Sequence, residues 1–157
     1  MDRGSTLVFS IVFLTLTVLS SMPALAAESH VANFSAGTSG TSGYEHFAFW
    51  IREDKKNEII YSYGKDSKEV KVAHIGPGSQ GNEPCFKVQF SNGYVLNLIP
   101  KGSALVVTDD EGRYSKTFQW EYKGPIDGKK TFCDVCVDEN EAMQFVRDNF
   151  MSPGASR

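Results

Sequence analysis

The chain has 157 residues, of which 41% are hydrophobic and 22% are charged, and its formal net charge is −3. This length suffices for one hydrophobic core but excludes a platform such as a (β/α)₈ barrel of about 250 residues. The mild acidity disfavours nucleic-acid binding, because Lys and Arg are scattered among acidic residues and form no basic patch. Length and charge therefore predict a single domain whose partner is not a nucleic acid.

The first 26 residues have the pattern of a signal peptide. Arg3 precedes an apolar run over residues 7–19, and Ala24 and Ala26 form an A-x-A cleavage site. At about 1.5 Å per residue the run covers about 20 Å, short of the roughly 30 Å hydrocarbon core of a membrane. We therefore expect cleavage after Ala26, a secreted or periplasmic location, and no membrane span in the mature chain.

Residues 27–43 are rich in Ser, Gly, Thr and Ala, a composition that predicts a flexible leader. Asn33 begins a glycosylation sequon in this segment, which matters only in a eukaryotic host. The single domain is then expected over residues 44–151, with a disordered tail at 152–157.

From residue 44 to residue 133 the apolar residues alternate, which is typical of antiparallel hairpins rather than of βαβ units. Two prolines and three glycines within residues 76–84 predict an irregular loop there. Asn92-Gly93 predicts a tight hairpin turn. The expected strands cover residues 46–51, 58–63, 69–75, 86–90, 94–98, 104–108, 113–122 and 130–133.

The pattern changes to helical spacing after Cys136. Asp138 is the expected N-cap, with Glu141 at the third helical position. The apolar residues that follow at helical spacing are Ala142, Met143, Val146 and Phe150. The sequence thus predicts a mainly β fold: an antiparallel β-meander of seven or eight strands, forming a small barrel or a strongly bent sheet, with one C-terminal α-helix.

Three cysteines, Cys85, Cys133 and Cys136, follow the predicted cleavage site. An oxidising compartment favours one disulfide and one leftover thiol, and all three pairings are open. A bond from Cys85 to either of the others would join the central hairpin to the helix. The leftover thiol allows either a monomer or a dimer linked through it.

Two other interpretations of the cysteines remain. Cys133 and Cys136 form a CxxC motif, which fits a thiol–disulfide oxidoreductase, although the hairpins before it lack the βαβ context of that class. Cys85 and His74 could complete a zinc set with the same two cysteines, but export favours oxidation. We therefore expect neither a metal nor a cofactor.

One part of the chain carries a further pattern: residues 86–90 and 96–98, followed by Gly112-Arg113-Tyr114, Trp120 and Lys123-Gly124. This pattern resembles the periplasmic inhibitors of c-type lysozyme. The spacing from Tyr114 to Lys123-Gly124 and the cysteine layout differ from that family, and the Ser-Gly of its inhibitory loop is absent, so no family is assigned.

The sequence shows no G-x-S-x-G nucleophile motif and no evident catalytic carboxylate pair. An aromatic-rich hairpin scaffold with polar loops favours an exported, non-enzymatic binding protein whose partner is a protein or a small ligand. The alternatives are the thiol–disulfide oxidoreductase and a carrier of small lipophilic ligands. The expected binding surface combines residues 76–84 with the turn at 109–112. The candidate binding residues are Trp50, Tyr61, Asp110, Tyr114 and Trp120.

Overall fold

A computed structural model describes residues 28–124 and 134–152 of the chain. Within these residues, nine strands are followed by one helix. The strands are β1 (His30–Ala36), β2 (Glu45–Ile51), β3 (Asn57–Tyr63), β4 (Lys68–Gln80), β5 (Glu83–Gln89), β6 (Val95–Lys101), β7 (Ala104–Thr108), β8 (Ser115–Trp120) and β9 (Asp134–Val135). The helix, α1, covers Glu139–Phe150.

Eight of these strands form a closed antiparallel barrel. Strands β2 to β8 pair in chain order, β8 pairs with β1, and β1 pairs with β2 to complete the ring. The short strand β9 lies parallel to the beginning of β1. The predicted fold class is confirmed, and closure into a barrel pairs the two sheet edges that a bent sheet would leave exposed.

The interior of the barrel is filled by side chains at alternate strand positions. The rings of Phe34, Phe47, Phe49 and Phe86 are fully buried there. The centroid of the Phe49 ring lies 6.0 Å from that of Phe34 and 5.7 Å from that of Phe86. These edge-to-face contacts pack the barrel with aromatic side chains.

Helix α1 closes the barrel end at which β1 begins, which we call the helix end. The Asp138 side chain accepts hydrogen bonds from the backbone N–H groups of Asn140 and Glu141, both at 2.9 Å, so the predicted cap is confirmed. Phe150 is fully buried, with its ring centroid 5.4 Å from that of Phe49. The helix therefore contributes to the same core as the strands.

The segment 27–43, predicted to be a flexible leader, instead contains β1. Phe34 is fully buried in the core, and Asn33 is buried on the outer face of the strand. The turn after β1 is tight, since Gly37 has a positive φ of 80° and a Cβ there would overlap the carbonyl oxygen of Gly43. The small residues of this segment thus serve strand packing and a close turn rather than mobility.

Residues 76–84, predicted to be an irregular loop, instead extend β4 and β5 into one long hairpin. Strand β3 pairs with β4 only as far as Val72, so the rest of β4 is paired on the β5 side alone. Proline lacks a backbone N–H, so it is tolerated at strand positions that do not donate a hydrogen bond to a neighbouring strand. Pro77 and Pro84 are therefore compatible with this hairpin, and the prediction of a loop was wrong.

Several predictions fall on residues that the structure does not describe: the signal peptide, the strand at 130–133, Cys133, and all of the tail except Ser152. Within residues 28–124 and 134–152, no helix is long and apolar enough to cross a membrane.

Candidate binding site opposite the helix

Four tyrosines meet at the barrel end opposite α1, and we call Tyr61, Tyr63, Tyr94 and Tyr114 the tyrosine mouth. Antiparallel pairing brings the last inward positions of β3 to the same end as the residues that precede β6 and β8. The ring centroids of Tyr61 and Tyr63 are 5.8 Å apart. Phe90 connects the two sides, with its ring centroid 5.3 Å from that of Tyr61 and 6.1 Å from that of Tyr94.

Glu45, at the first position of β2 and directly opposite Tyr63 on β3, places its carboxylate at this mouth. It accepts a hydrogen bond from the Tyr61 hydroxyl at 2.9 Å and closer ones from the Tyr114 hydroxyl and the Lys116 ammonium. Burial alone would raise the pKa of Glu45, but these three donors outweigh it and hold the pKa below its usual range. Glu45 is therefore an ionised carboxylate that fixes two of the four tyrosines.

The two tyrosines bonded to Glu45 are held as neutral donors. Burial and the hydrogen bond to the carboxylate both raise the pKa values of Tyr61 and Tyr114 above the ordinary value for tyrosine. A group whose pKa lies so far above neutrality is a poor general acid or base at neutral pH. The arrangement consequently suits binding rather than proton transfer.

The other two tyrosines present their rings to solvent. Tyr63 is 39% exposed and Tyr94 is 38% exposed. The Tyr94 hydroxyl donates to the buried carboxylate of Asp109 at 3.2 Å, and Asp109 also accepts from the backbone N–H of Arg113 at 2.8 Å. The turn at 109–112 therefore borders the mouth through Asp109, whereas residues 76–84 form the β4–β5 hairpin.

An open groove of about 540 Å³ adjoins the tyrosine mouth on the outer face of β4 and β5. Phe90 contributes to both the groove and the mouth. A concave surface beside exposed aromatic rings offers room for a side chain of a bound partner. The groove is lined by Lys71, Ala73, Gln89, Phe90, Ser91 and Gly93.

Of the five candidate binding residues, the structure brings Tyr61 and Tyr114 together. Trp50 lies instead on the outer face of β2 and is only 7% exposed, in a cluster with Val31 and Val135. The Arg52 guanidinium carbon lies 3.9 Å from the centroid of the Trp50 ring. Val31 of β1 and Val135 of β9 therefore supply apolar neighbours of this tryptophan.

The side chain of Asp110, within the turn at 109–112, and that of Trp120 have other surroundings. The Asp110 carboxylate accepts hydrogen bonds from the Asn97 amide at 2.8 Å and from Lys87 at 3.5 Å, on the outer face of β5 and β6. Trp120 is at the helix end of β8, where it is paired with Phe34 and packs against the core. Both residues serve the folded scaffold.

Glu45 and Lys116 are the residues of this candidate site that sequence reasoning missed. Glu45 has the same strand parity as Phe47, and Lys116 has the same parity as Phe118, so both charged side chains point to the inner face. An acidic residue and a basic residue at inward positions of two strands could have predicted that the two side chains form an ion pair inside the barrel end. Alternation alone did not reveal that barrel closure would bring the two strand ends together.

Cys85 and Cys136 are both buried free thiols, so neither forms the expected disulfide. The two residues occupy different surroundings: the Cys85 sulfur lies 4.0 Å from the Asn97 carbonyl oxygen, whereas the Cys136 sulfur lies 3.2 Å from the His30 ring. Full burial also removes both sulfurs from reach of a second chain in this conformation. Cys133 is outside the described residues.

The surroundings of Cys136 and His74 oppose the two remaining interpretations of the cysteines. Burial and the nearby carboxylates of Glu141 and Asp134 raise the pKa of Cys136 to about 12, whereas a reactive thiol needs a lowered pKa. His74 donates from Nε2 to the carbonyl oxygen of Phe150 at 2.9 Å. It therefore belongs to the contact between α1 and β4 rather than to a cysteine cluster.

Comparison with known protein families, curated proteins and solved structures finds no significant match to this chain. The interpretation of the tyrosine mouth depends on its own geometry.

Proposed function

We propose that this chain is an exported, non-enzymatic binding protein and that it binds a protein partner through the tyrosine mouth. The observation that carries the proposal is the pair of partly exposed rings, Tyr63 and Tyr94, at the same barrel end as the hydrogen-bonded carboxylate of Glu45. Tyrosine is enriched at the energetic centres of protein interfaces, because it combines a large apolar ring with a hydroxyl that can be hydrogen-bonded.

The hydrogen bonds that hold the tyrosine hydroxyls support the same proposal. Tyr61 and Tyr114 are already fixed by Glu45, and Tyr94 is fixed by Asp109. Side chains that are ordered before binding lose less conformational entropy when a partner arrives. A rigid tyrosine surface on barrel strands thus favours affinity without an induced change of fold.

The proposed export depends on the signal-peptide pattern of residues 1–26. The two alternative functions have less support. A lipophilic ligand would have to displace the phenylalanine rings that pack against one another inside the barrel. A thiol oxidoreductase would have to use Cys136, whose burial and acidic neighbours keep the thiol protonated.

The test compares three versions of the mature chain: the natural sequence, the double variant Tyr63→Ser/Tyr94→Ser, and the control Tyr122→Ser. Tyr122 is 55% exposed and lies outside the mouth, so its substitution removes an exposed ring without altering the proposed surface. Each version is immobilised and exposed to the extracellular or periplasmic fraction of the source cells, and captured proteins are quantified by mass spectrometry.

We expect a partner that is captured by the natural chain and by Tyr122→Ser, and at least about tenfold less by the double variant, which corresponds to about 1.4 kcal/mol of binding free energy. Equal capture by all three versions, or no specific capture by the natural chain, would contradict the proposal. Native mass spectrometry of the exported chain distinguishes a small ligand from a protein partner. A small additional mass that is bound to the natural chain and absent from the double variant would show that the mouth binds a small ligand instead of a protein.

A further inference from the structure

A second cluster lies at the helix end of the barrel, away from the tyrosine mouth. His30 begins β1, Cys136 follows β9, and Glu141 belongs to the first turn of α1. One ligand atom from each residue lies within 4.8 Å of the other two, and the His30 Nε2 to Cys136 Sγ distance is 3.2 Å. Within residues 28–124 and 134–152, this is the only group of three such side chains that could surround a metal ion.

The separations fit a tetrahedral ion of the zinc class. Bonds of about 2.0–2.1 Å to nitrogen and about 2.3 Å to sulfur place these two atoms about 3.5 Å apart at a tetrahedral angle. The observed 3.2 Å between His30 Nε2 and Cys136 Sγ is close to this value. The ligand atom of Glu141 lies within 4.8 Å of the other two, so its carboxylate has to shift by about 1 Å to bind the same ion. An imidazole, a thiolate and a carboxylate together favour Zn²⁺ over Mg²⁺ or Ca²⁺, which prefer oxygen ligands alone.

Surrounding groups orient His30 and Glu141. The Asp134 carboxylate lies 3.2 Å from His30 Nδ1, where it can accept the proton of that nitrogen and leave the Nε2 lone pair for a metal. The His30 ring stacks on Phe145 with centroids 4.6 Å apart. The backbone N–H of Val137 donates to Glu141 Oε2 at 2.6 Å, which leaves the second carboxylate oxygen available.

The backbone holds the sulfur and the imidazole in register. The N–H of Cys136 donates to the carbonyl of Val31 at 3.0 Å, and the N–H of Asp134 donates to the carbonyl of Ser29 at 2.8 Å. These bonds tie the segment that bears Cys136 to the beginning of β1, which bears His30. His30 thus lies on a paired strand, Cys136 directly follows one and is hydrogen-bonded to β1, and Glu141 lies on a capped helix. Such rigid surroundings make a binding site more precise.

We propose that His30, Cys136 and Glu141 bind one zinc-class divalent ion, with water as the fourth ligand. Cys136 is fully buried, whereas Glu141 is exposed and the His30 side chain is 29% exposed, so an ion can enter from the solvent side and keep a water there. On binding, the S–H bond of Cys136 is broken, a sulfur–metal bond forms, and the proton leaves to solvent without any change of oxidation state.

The test uses Co²⁺ as a spectroscopic probe on the reduced full chain. A cobalt–thiolate bond gives a charge-transfer absorption band, and we expect this band to saturate at one equivalent and to be abolished by excess Zn²⁺. The variants Cys85→Ala and Cys133→Ser should retain the band, because the proposed site uses neither sulfur. The variant Cys136→Ser should lose it.

Two further variants separate the ligands from a general effect on folding. Glu141 and Asp134 are exposed, so Glu141→Gln and Asp134→Asn should fold normally. Glu141→Gln removes a proposed ligand and should weaken cobalt binding at least tenfold. Asp134→Asn should weaken it by about 10–100-fold, as is typical when the hydrogen-bond partner of a metal-bound histidine is changed.

The proposal is overturned if the natural chain gives no band with one equivalent of Co²⁺, or if the band persists in Cys136→Ser. Loss of the band in Cys133→Ser would overturn the three-ligand set. If Cys136→Ser does not fold, unchanged cobalt affinity in Glu141→Gln overturns the set in its place. None of these outcomes bears on the tyrosine mouth, which lies at the opposite end of the barrel.

Discussion

At the scale of single residues, His46 is a buried histidine held in its neutral form. It is 7% exposed on the outer face of β2, and its Nε2 lies 3.0 Å from the Asn33 carbonyl oxygen, to which it donates. Burial, together with the nearby charge of Lys123, lowers the pKa of His46 from 6.5 to about 4, while Glu121 opposes the shift. The folded protein thus takes up this proton less readily than the unfolded chain does.

This difference predicts a loss of stability in mild acid. Below pH 6.5 the unfolded chain binds a proton at position 46 that the folded protein does not, so the free energy of unfolding decreases as the pH falls towards 4. The expected contribution is about 2 kcal/mol at about pH 5, since each pH unit corresponds to about 1.4 kcal/mol. Urea unfolding at about pH 7 and about pH 5 measures it.

The matched variant is His46→Gln, which keeps an N–H donor for Asn33 but does not titrate. Its free energy of unfolding should fall by less than that of the natural chain between the two pH values. Other acid-sensitive groups, such as Glu45, contribute equally to both proteins. An identical decrease in the free energy of unfolding of the two proteins would contradict this prediction, because it would show that His46 takes up no proton when the chain unfolds.

At the scale of elements, the contact between α1 and the barrel depends on Phe150. Its ring is fully buried, 5.4 Å from Phe49 and 5.8 Å from Phe86 between ring centroids. Phe150→Ala should lower the free energy of unfolding by about 3–5 kcal/mol, because it removes buried apolar surface and leaves a cavity. Urea unfolding followed by circular dichroism measures the change.

The control is Gln144→Ala, an exposed position on the same helix. This substitution should change the free energy of unfolding by no more than about 0.5 kcal/mol. If Phe150→Ala changed the free energy of unfolding by an equally small amount, α1 would not contribute to the stability of the core.

The elements that sequence patterns predicted correctly are those specified by nearby residues. The cap at Asp138 located the helix, and Asn92-Gly93 located the β5–β6 hairpin. Strand β1 was missed because it pairs not only with the neighbouring β2 but also with β8, which lies far away in the sequence, and its burial depends on both. The candidate site divides in the same way. Aromatic residues on strands were visible, but the contacts of the inward Glu45 with Tyr114 and Lys116 form only because closure of the barrel brings the beginning of β8 close to that of β2.

At the scale of the whole molecule, closure of the barrel depends on β1. It pairs with β2 along the whole register from His30↔Ile51 to Ala36↔Glu45, and it also pairs with β8. A chain that begins at residue 44, the predicted start of the domain, would lack these pairs and would lose Phe34 from the core. It would also expose unpaired edges on β2 and β8, which favour aggregation.

We therefore expect the chain from residue 28 to unfold cooperatively and to elute as a defined species, whereas the chain from residue 44 aggregates or unfolds without a cooperative transition. Size-exclusion chromatography and thermal unfolding followed by circular dichroism distinguish the two. The same unfolding midpoint in both chains would contradict a structural role for β1, because a barrel that has lost one of its eight strands cannot keep the stability that ring closure provides.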